Sequence, residues 1–354
     1  MILDKIFTSI PHVLKYNAVN FSNDIAMREK DFGIWKTRTW FQCQEQVMSI
    51  SLALYAKGIK RREVIGLLGN NKPRWVLGEI AIQSVGAIAM GIYADALESE
   101  IKYLINYSKC KALFVEDEEQ ADKVISQGKH LSCVKLIIYD ETKGMRKYKD
   151  KRLISFDQLL MLGEKAKESD PNAYNKFIDK IKPEDIGILC PTSGTTSNPK
   201  LAKISHKALL SHARRYLEAD PKNSDDEYVS VLPLPWIMEQ MYAVAKWLTC
   251  RMKVNFVEKP ETMMADLREI GPTFLLLAPR VWEQISADIR SKIMEASYIK
   301  RFFYNFSLNL IRKSKNHKWS ILIADILLFK WLRDRIGFSR LKSAATGGAA
   351  LGPD

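Results

Sequence analysis

Apolar residues recur along this chain in short blocks, and most blocks are followed by a polar turn and then a helical pattern. Val64–Leu68 is a strand-length apolar run. The segment Gly66–Asn71 leads into a polar turn with Pro73 near a helix start, and PRWVLGEIAIQSVGAIA then reads as a helix ending near Gly86 or Gly91. Ala89–Tyr93 reads as the next strand. Glu98–Asn106 follows as a helix with Ile101, Leu104 and Ile105 on one face. Ala112–Val115 is a strand, EDEEQADKVISQG a helix and Val134–Tyr139 a strand. Strands alternating with short helices predict an α/β fold: a doubly wound, mainly parallel sheet with flanking helices.

Residues 141–185 are more polar and rich in lysine, with Tyr148–Arg152 and Glu164–Asn175 reading as surface loop and exposed helix. This predicts a soft subdomain boundary there. Asp185–Cys190 is strand-like and feeds a loop of small hydroxyl residues, after which Ser205 can cap a helix running to about Glu218. Tyr228–Leu232, Met252–Val257 and Thr273–Ala278 are further strands, with a helix over Thr262–Ile270. Two long helices, Val281–Lys315 with breaks and His317–Ile336, precede a last strand at Lys342–Ala345. The chain then enters the small-residue turn TGGAALGP.

Composition narrows the class. The chain has 354 residues, 47% of them apolar, which argues against general disorder. The amino terminus MILDKIFTSIPHVLK has Asp4 and no long apolar stretch, so it does not read as a secretory signal. No run has the length of a membrane helix. Five scattered cysteines without a CxxC pair fit reduced thiols and predict a cytoplasmic protein. His206 and His212 lack the spacing that sets two metal ligands on one helix face. The net charge is +13, and Arg290–Lys342 alone carries 13 Lys/Arg against 3 Asp/Glu. Such a stretch is either a solvated helical surface or an attractor of anionic lipid, polyphosphate or nucleic acid. Without an RNA or DNA motif, nucleic acid is not expected as a partner.

The candidate chemistry lies in Thr192-Ser193-Gly194-Thr195-Thr196-Ser197-Asn198-Pro199-Lys200. Small hydroxyl residues around a glycine let backbone N–H groups approach phosphate oxygens, and Lys200 adds a point charge. A Walker loop does not fit, because Pro199 replaces its second glycine and Leu201 its magnesium-binding hydroxyl. Composition alone leaves a plain solvated connection open.

The run resembles the phosphate-binding signature of the AMP-forming (adenylate-forming) synthetases, usually written YTSGTTGxPKG. Thr192, Ser193, Gly194, Thr195, Thr196, Pro199 and Lys200 match, whereas Pro191, Ser197 and Leu201 depart from it. Other segments resemble the same family in the same order. MREKDFGIWKTRTW at Met27–Trp40 is similar to the entry segment of its long-chain fatty acyl-CoA synthetase subgroup, and Val64–Val124 to the family's first Rossmann-like half. LPLPWIMEQ at Leu232–Gln240 is similar to LPLxHxxEQ, LAPRVWEQI at Leu277–Ile285 to VPRxWEKI, and SAATGGAALGPD at Ser343–Asp354 to xxSGGAPLxPE.

The resemblance implies the family's large amino-terminal domain over 1–354, without the small carboxy-terminal domain. It implies an acid–thiol ligase that uses ATP, Mg2+ and CoA to activate a long-chain fatty or similar apolar acid. Thr192–Lys200 would hold the ATP phosphates, with Thr195 the magnesium contact. Gly347, Gly348 and Ala349 would line the adenine and acyl-carbonyl side, and Glu239 would be structural. Trp236 stands where the family has a histidine; it would pack against or gate the acyl chain, or else be a tryptophan buried at the end of a core strand. The family's magnesium-binding glutamate, ribose-binding aspartate and adenylation lysine have no match in 1–354. A fragment inactive by itself, or a non-catalytic ATP- or acyl-binding module, are therefore both expected outcomes. The basic stretch Arg290–Lys342 suits peripheral contact with an anionic membrane.

Overall fold

The computed structural model describes residues 8–192, 199–313 and 318–348. Their contacts divide into two compact units. The first comprises residues 1–225 and 233–256, and the second 226–232 and 257–354.

The first unit opens with helix Ile10–Asn20 and the hairpin of β1 (Ile25–Asp31) and β2 (Ile34–Thr39). Phe32 and Gly33 turn that hairpin at φ +47° and +75°. These positive angles at both central residues match the right-handed twist of the flanking strands. Helix Trp40–Ala56 starts from a capping box: Gln42 N–H donates to Thr39 Oγ1 at 3.3 Å and Thr39 N–H to Gln42 Oε1 at 2.9 Å.

Seven strands then build a sheet: β3 (Val64–Leu68), β4 (Ile88–Ile92), β5 (Ala112–Val115), β6 (Leu136–Tyr139), β7 (Leu153–Ser155), β8 (Ile186–Thr192) and β9 (Lys200–Ser205). Their order is β7-β6-β5-β3-β4-β8-β9, parallel except for the antiparallel pair β8–β9. The chain runs outward from β3 to β4, then crosses back to place β5 on the other side of β3. That reversal makes the sheet doubly wound, as the alternation of strands and helices predicts. β3 is buried along its whole length and takes the continuous apolar sequence of a strand covered on both faces.

Residues 141–185 lie within the first unit. They contain β7 and helix Phe156–Ser169, which packs along helix Trp40–Ala56. The approach is close enough that a Cβ on Gly163 would sit 1.8 Å from the carbonyl oxygen of Ser49. Lys165 faces water and Lys167 pairs with Glu45 of the neighbouring helix at 2.6 Å, while Phe156 and Leu159 are buried, so its polar composition concealed a packed element.

Four strands remain: β10 (Glu227–Ser230), β11 (Lys253–Phe256), β12 (Phe274–Leu277) and β13 (Ser343–Thr346). β11 belongs to the first unit and pairs in parallel with β1. In the second unit β12 pairs in parallel with β10 and β13. Val229, Leu267, Leu275, Leu277, Ile285 and Phe338 form that unit's core. A buried carboxylate anchors it: Asp226 accepts from Thr273 Oγ1 and from Lys342 Nζ, each at 2.8 Å. Helices Pro279–Met294, Tyr298–Lys313 and Lys318–Ala324 follow. A π-helical turn at Asp325–Phe329 then leads into helix Lys330–Ile336.

Candidate functional site

The two ends of the hydroxyl-rich loop are held in register by the β8–β9 hairpin. Thr192 pairs with Lys200 and Pro191 with Leu201, and Thr192 Oγ1 donates to the Lys200 carbonyl at 3.3 Å. Pairing of β8 with β4 reaches only Leu189, so Pro191 lies past the last of those rungs. Its missing N–H therefore costs no hydrogen bond to β4. Thr192 and Lys200 are exposed, so the lysine ammonium is available at the mouth of the loop. Residues 193–198, which include Ser193, Gly194, Thr195, Thr196, Ser197 and Asn198, lie outside the described residues, as does Ala349.

Beside β8, helix Pro73–Ser84 is tied to the segment carrying Trp236. Glu79 is fully buried in that helix and accepts from Gln83 Nε2 and from Gln240 Nε2, both at 2.9 Å. Gln240 Nε2 also donates to the Leu234 carbonyl at 2.8 Å, and Leu234 N–H to Asn71 Oδ1 at 3.0 Å. Gly91 at the end of β4 lets this segment close down: a Cβ there would lie 2.7 Å from Pro235 Cα. Pro233–Gln240 is thus fastened against the carboxyl ends of β4 and β8, the side of an open parallel sheet where ligands bind.

Burial pushes the Glu79 carboxyl up to about 7, against the lowering effect of the Gln240 and Gln83 amides. The oxygens of both glutamines, Gln83 Oε1 and Gln240 Oε1, lack a hydrogen-bond partner. Rotating either amide would offer an acceptor to a protonated Glu79. Cys190 is buried beside it. Burial first, and then the Glu79 charge, push its thiol up to about 12, so it is neither a nucleophile nor a metal ligand at neutral pH.

Trp236 is half-buried and caps the short helix Ile237–Glu239, donating its N–H to the Pro233 carbonyl at 2.9 Å. β10 ends at Ser230, so Trp236 is not a residue buried at the end of a core strand, and that alternative is set aside. Glu239 is fully buried. His206 begins the helix after β9 and is buried. Burial holds its ring down at about 4, and its Nδ1 accepts from Ile10 N–H at 3.5 Å. It is a neutral packing residue rather than a base.

In the second unit β13 delivers Gly347 and Gly348 at its carboxyl end. Trp282 Nε1 donates to the Ala345 carbonyl at 3.3 Å and steadies the strand. Gly348 takes φ +93°, a conformation open to glycine and costly for other residues. Among the described residues no three of His, Cys, Asp and Glu gather into a metal-binding group.

Glu79, Gln83 and Gln240 escaped the sequence reading. One signal was present: a Glu–Gln pair at i and i+4 inside a helix that is otherwise apolar on nearly every side.

A doubly wound sheet with a hydroxyl-rich hairpin loop between its last parallel strand and an antiparallel edge strand is the architecture of adenylate-forming enzymes. The chain belongs to the AMP-binding enzyme family, whose profile matches residues 14–354. It is 26% identical over 363 aligned positions to a long-chain-fatty-acid–CoA ligase of Xenopus laevis, covering 97% of this chain and 48% of that protein. It is 28% identical over 353 positions to fatty acyl-CoA synthetase A of Dictyostelium discoideum, covering 96% and 51%. Among solved structures, the A-PCP didomain of carboxylic acid reductase from Segniliparus rugosus, in complex with AMP, superposes with a TM-score of 0.76. That match is at 15% identity and covers 98% of this chain and 50% of that one. The fatty acyl-adenylate ligase from L. pneumophila gives 0.61 at 17% identity, covering 77% and 44%. The chain spans about half the length of the curated relatives it matches.

Proposed function

We propose that this chain is the amino-terminal part of an ATP-dependent acid–thiol ligase that activates a long-chain fatty acid. In that reaction a carboxylate oxygen attacks the α-phosphorus of ATP, the bond to the β-phosphate oxygen breaks, and pyrophosphate leaves. The sulfur of CoA then attacks the acyl carbonyl, its proton is released, and AMP departs. The observation that carries the reading is the ordered series of family-like segments, with the phosphate-loop candidate closing a hairpin at the carboxyl side of the sheet.

Thr192–Lys200 would cradle the phosphates through backbone N–H groups, small hydroxyls and the exposed Lys200 ammonium. Magnesium, with Thr195 as a contact, would offset phosphate charge as the pyrophosphate leaves. Gly347, Gly348 and Ala349 would admit adenine and the acyl carbonyl at close range. Trp236 cannot act as a base, so it would contact the acyl chain. The names of the relatives support the long-chain preference, and the basic, apolar-studded stretch Arg290–Lys342 supports contact with an anionic membrane surface.

Calorimetry of the 354-residue polypeptide with MgATP tests the reading. Binding is expected, weakened about tenfold or more by Lys200→Ala, which removes a charge-assisted phosphate contact. Palmitate-dependent pyrophosphate release by this polypeptide alone is expected to stay at background. The glutamate and lysine that complete the family's charge compensation are not among its residues. Absence of MgATP binding would refute the phosphate-loop assignment. Full turnover by the polypeptide would refute the proposed dependence on those groups.

A further inference from the structure

The helices of the second unit leave a hollow between them. A cavity of about 750 Å³ lies between helix Met263–Ile270, helix Pro279–Met294 and the two segments that follow. Its volume falls within the range of small-molecule sites, about 300–1,000 Å³. The lining is largely apolar: Ile285, Ile289, Ile293 and Leu328, with the more exposed Phe303 and Trp331. The rim is cationic, with Arg268, Lys292, Lys300 and Arg335. None of these four pairs with an acidic side chain among the described residues. Asp288, the single acid in the lining, accepts from Gln284 Nε2 at 2.7 Å.

An apolar wall with a cationic rim selects a ligand of two halves. The hollow costs the fold its dispersion contacts and leaves aliphatic surface in water. Four unpaired cations around one opening repel one another. An alkyl chain would fill the first deficit, and an anionic head at the rim would relieve the second. Two of the four cations are arginines, whose planar forks suit phosphate oxygens. A bilayer would meet the exposed outer side chains but would not enter a recess between helices.

We infer that this groove binds a single-chain amphiphile with a phosphate-bearing head, its chain against Ile289 and Leu328 and its head among Arg268, Lys292, Lys300 and Arg335. The assignment rests on the second unit alone and is independent of the proposed ligase reaction.

Oleoyl lysophosphatidate, kept below its aggregation concentration, is the probe, titrated into the full chain by calorimetry. Saturable binding near one per chain is expected. The double variant Lys300→Glu, Arg335→Glu should weaken it about tenfold or more, the scale of losing charge-assisted contacts. Arg301→Glu changes a cation that lines the neighbouring hollow and not this one, and should leave binding within about twofold. Far-UV circular dichroism checks that each variant folds, and the milder Lys300→Gln, at an exposed position, serves if the double variant does not. Equal weakening by Arg301→Glu would overturn the assignment in favour of general charge attraction. So would equally tight binding of lysophosphatidylcholine, whose head has no net charge. Affinity for phosphatidic acid vesicles without affinity for the monomer would overturn it in favour of a membrane surface.

Discussion

The two units spend the same kind of apolar sequence in opposite ways. In the first, the runs at Val64–Leu68, Ile88–Ile92, Ala112–Val115 and Leu136–Tyr139 are almost entirely buried around Ile101, Leu104, Leu113 and Ile137. In the second, helices Tyr298–Lys313 and Lys318–Ile336 carry comparable side chains but bury few of them. Of the 22 large apolar side chains exposed among the described residues, 14 lie between Met294 and Trp331. The difference teaches that amphipathic periodicity reports a helix with an apolar stripe and not the partner of that stripe. A parallel sheet supplies partners on both faces, whereas a pair of helices standing off a third leaves grooves, and here those grooves are rimmed with arginine and lysine.

The largest test of this contrast is a core tryptophan. Trp40 is fully buried and stacked on Trp247 at 4.8 Å between ring centroids. Trp40→Ala should cost about 3–5 kcal/mol in urea unfolding, through lost burial and the cavity left behind. A loss below about 1 kcal/mol would mean the first unit relaxes as freely as the second.

Next in size is a pH effect confined to the first unit. Glu79 is held up to about 7 in the fold, above the ordinary carboxyl value, so the folded state binds its proton more tightly than the unfolded chain. Its contribution is therefore most favourable at acid pH and is lost as pH rises through about 7, by about 3 kcal/mol. His206 runs the other way. Its ring is held down at about 4, so its contribution is present above the ordinary histidine value and is lost as pH falls toward 4. Between the two, near pH 5–6.5, the slopes oppose and the wild-type profile should be nearly flat. Glu79→Gln should abolish the fall that ends near pH 7 and uncover the His206 slope below pH 6.5, read as urea midpoints from pH 4.5 to 8. An unchanged profile in the variant would show that Glu79 does not titrate in the fold.

The smallest expected effect completes the comparison. Trp331 is 68% exposed. Trp331→Ala should therefore change global stability by no more than about 0.5 kcal/mol. A cost like that of Trp40→Ala would reveal a second core where the structure shows an open groove.

Much of this protein was legible one segment at a time. Ala112–Val115 reads as a strand and is one, because four apolar residues between polar turns have few alternatives. Ser205 reads as a helix cap and accepts from the Ala208 N–H at 3.2 Å, because capping involves only neighbours in the chain. The family, too, was written in the order of short motifs. Helix Phe156–Ser169 was harder, since its lysines disguise the face that Gly163 lays against Ser49.

What the sequence determined by itself is therefore local: where strands and helices fall, how several begin, and which ancestry the motifs carry. Only the tertiary structure decided that β5 crosses to the far side of β3, that Glu79 meets Gln240 across 161 positions, and that the cations around Arg335 line a largely apolar hollow. Strand order, the burial of a charge and an unfilled groove each depend on residues distant in sequence. Chain connectivity alone does not specify those meetings; they are settled by the packing that excludes water from one place and admits it to another.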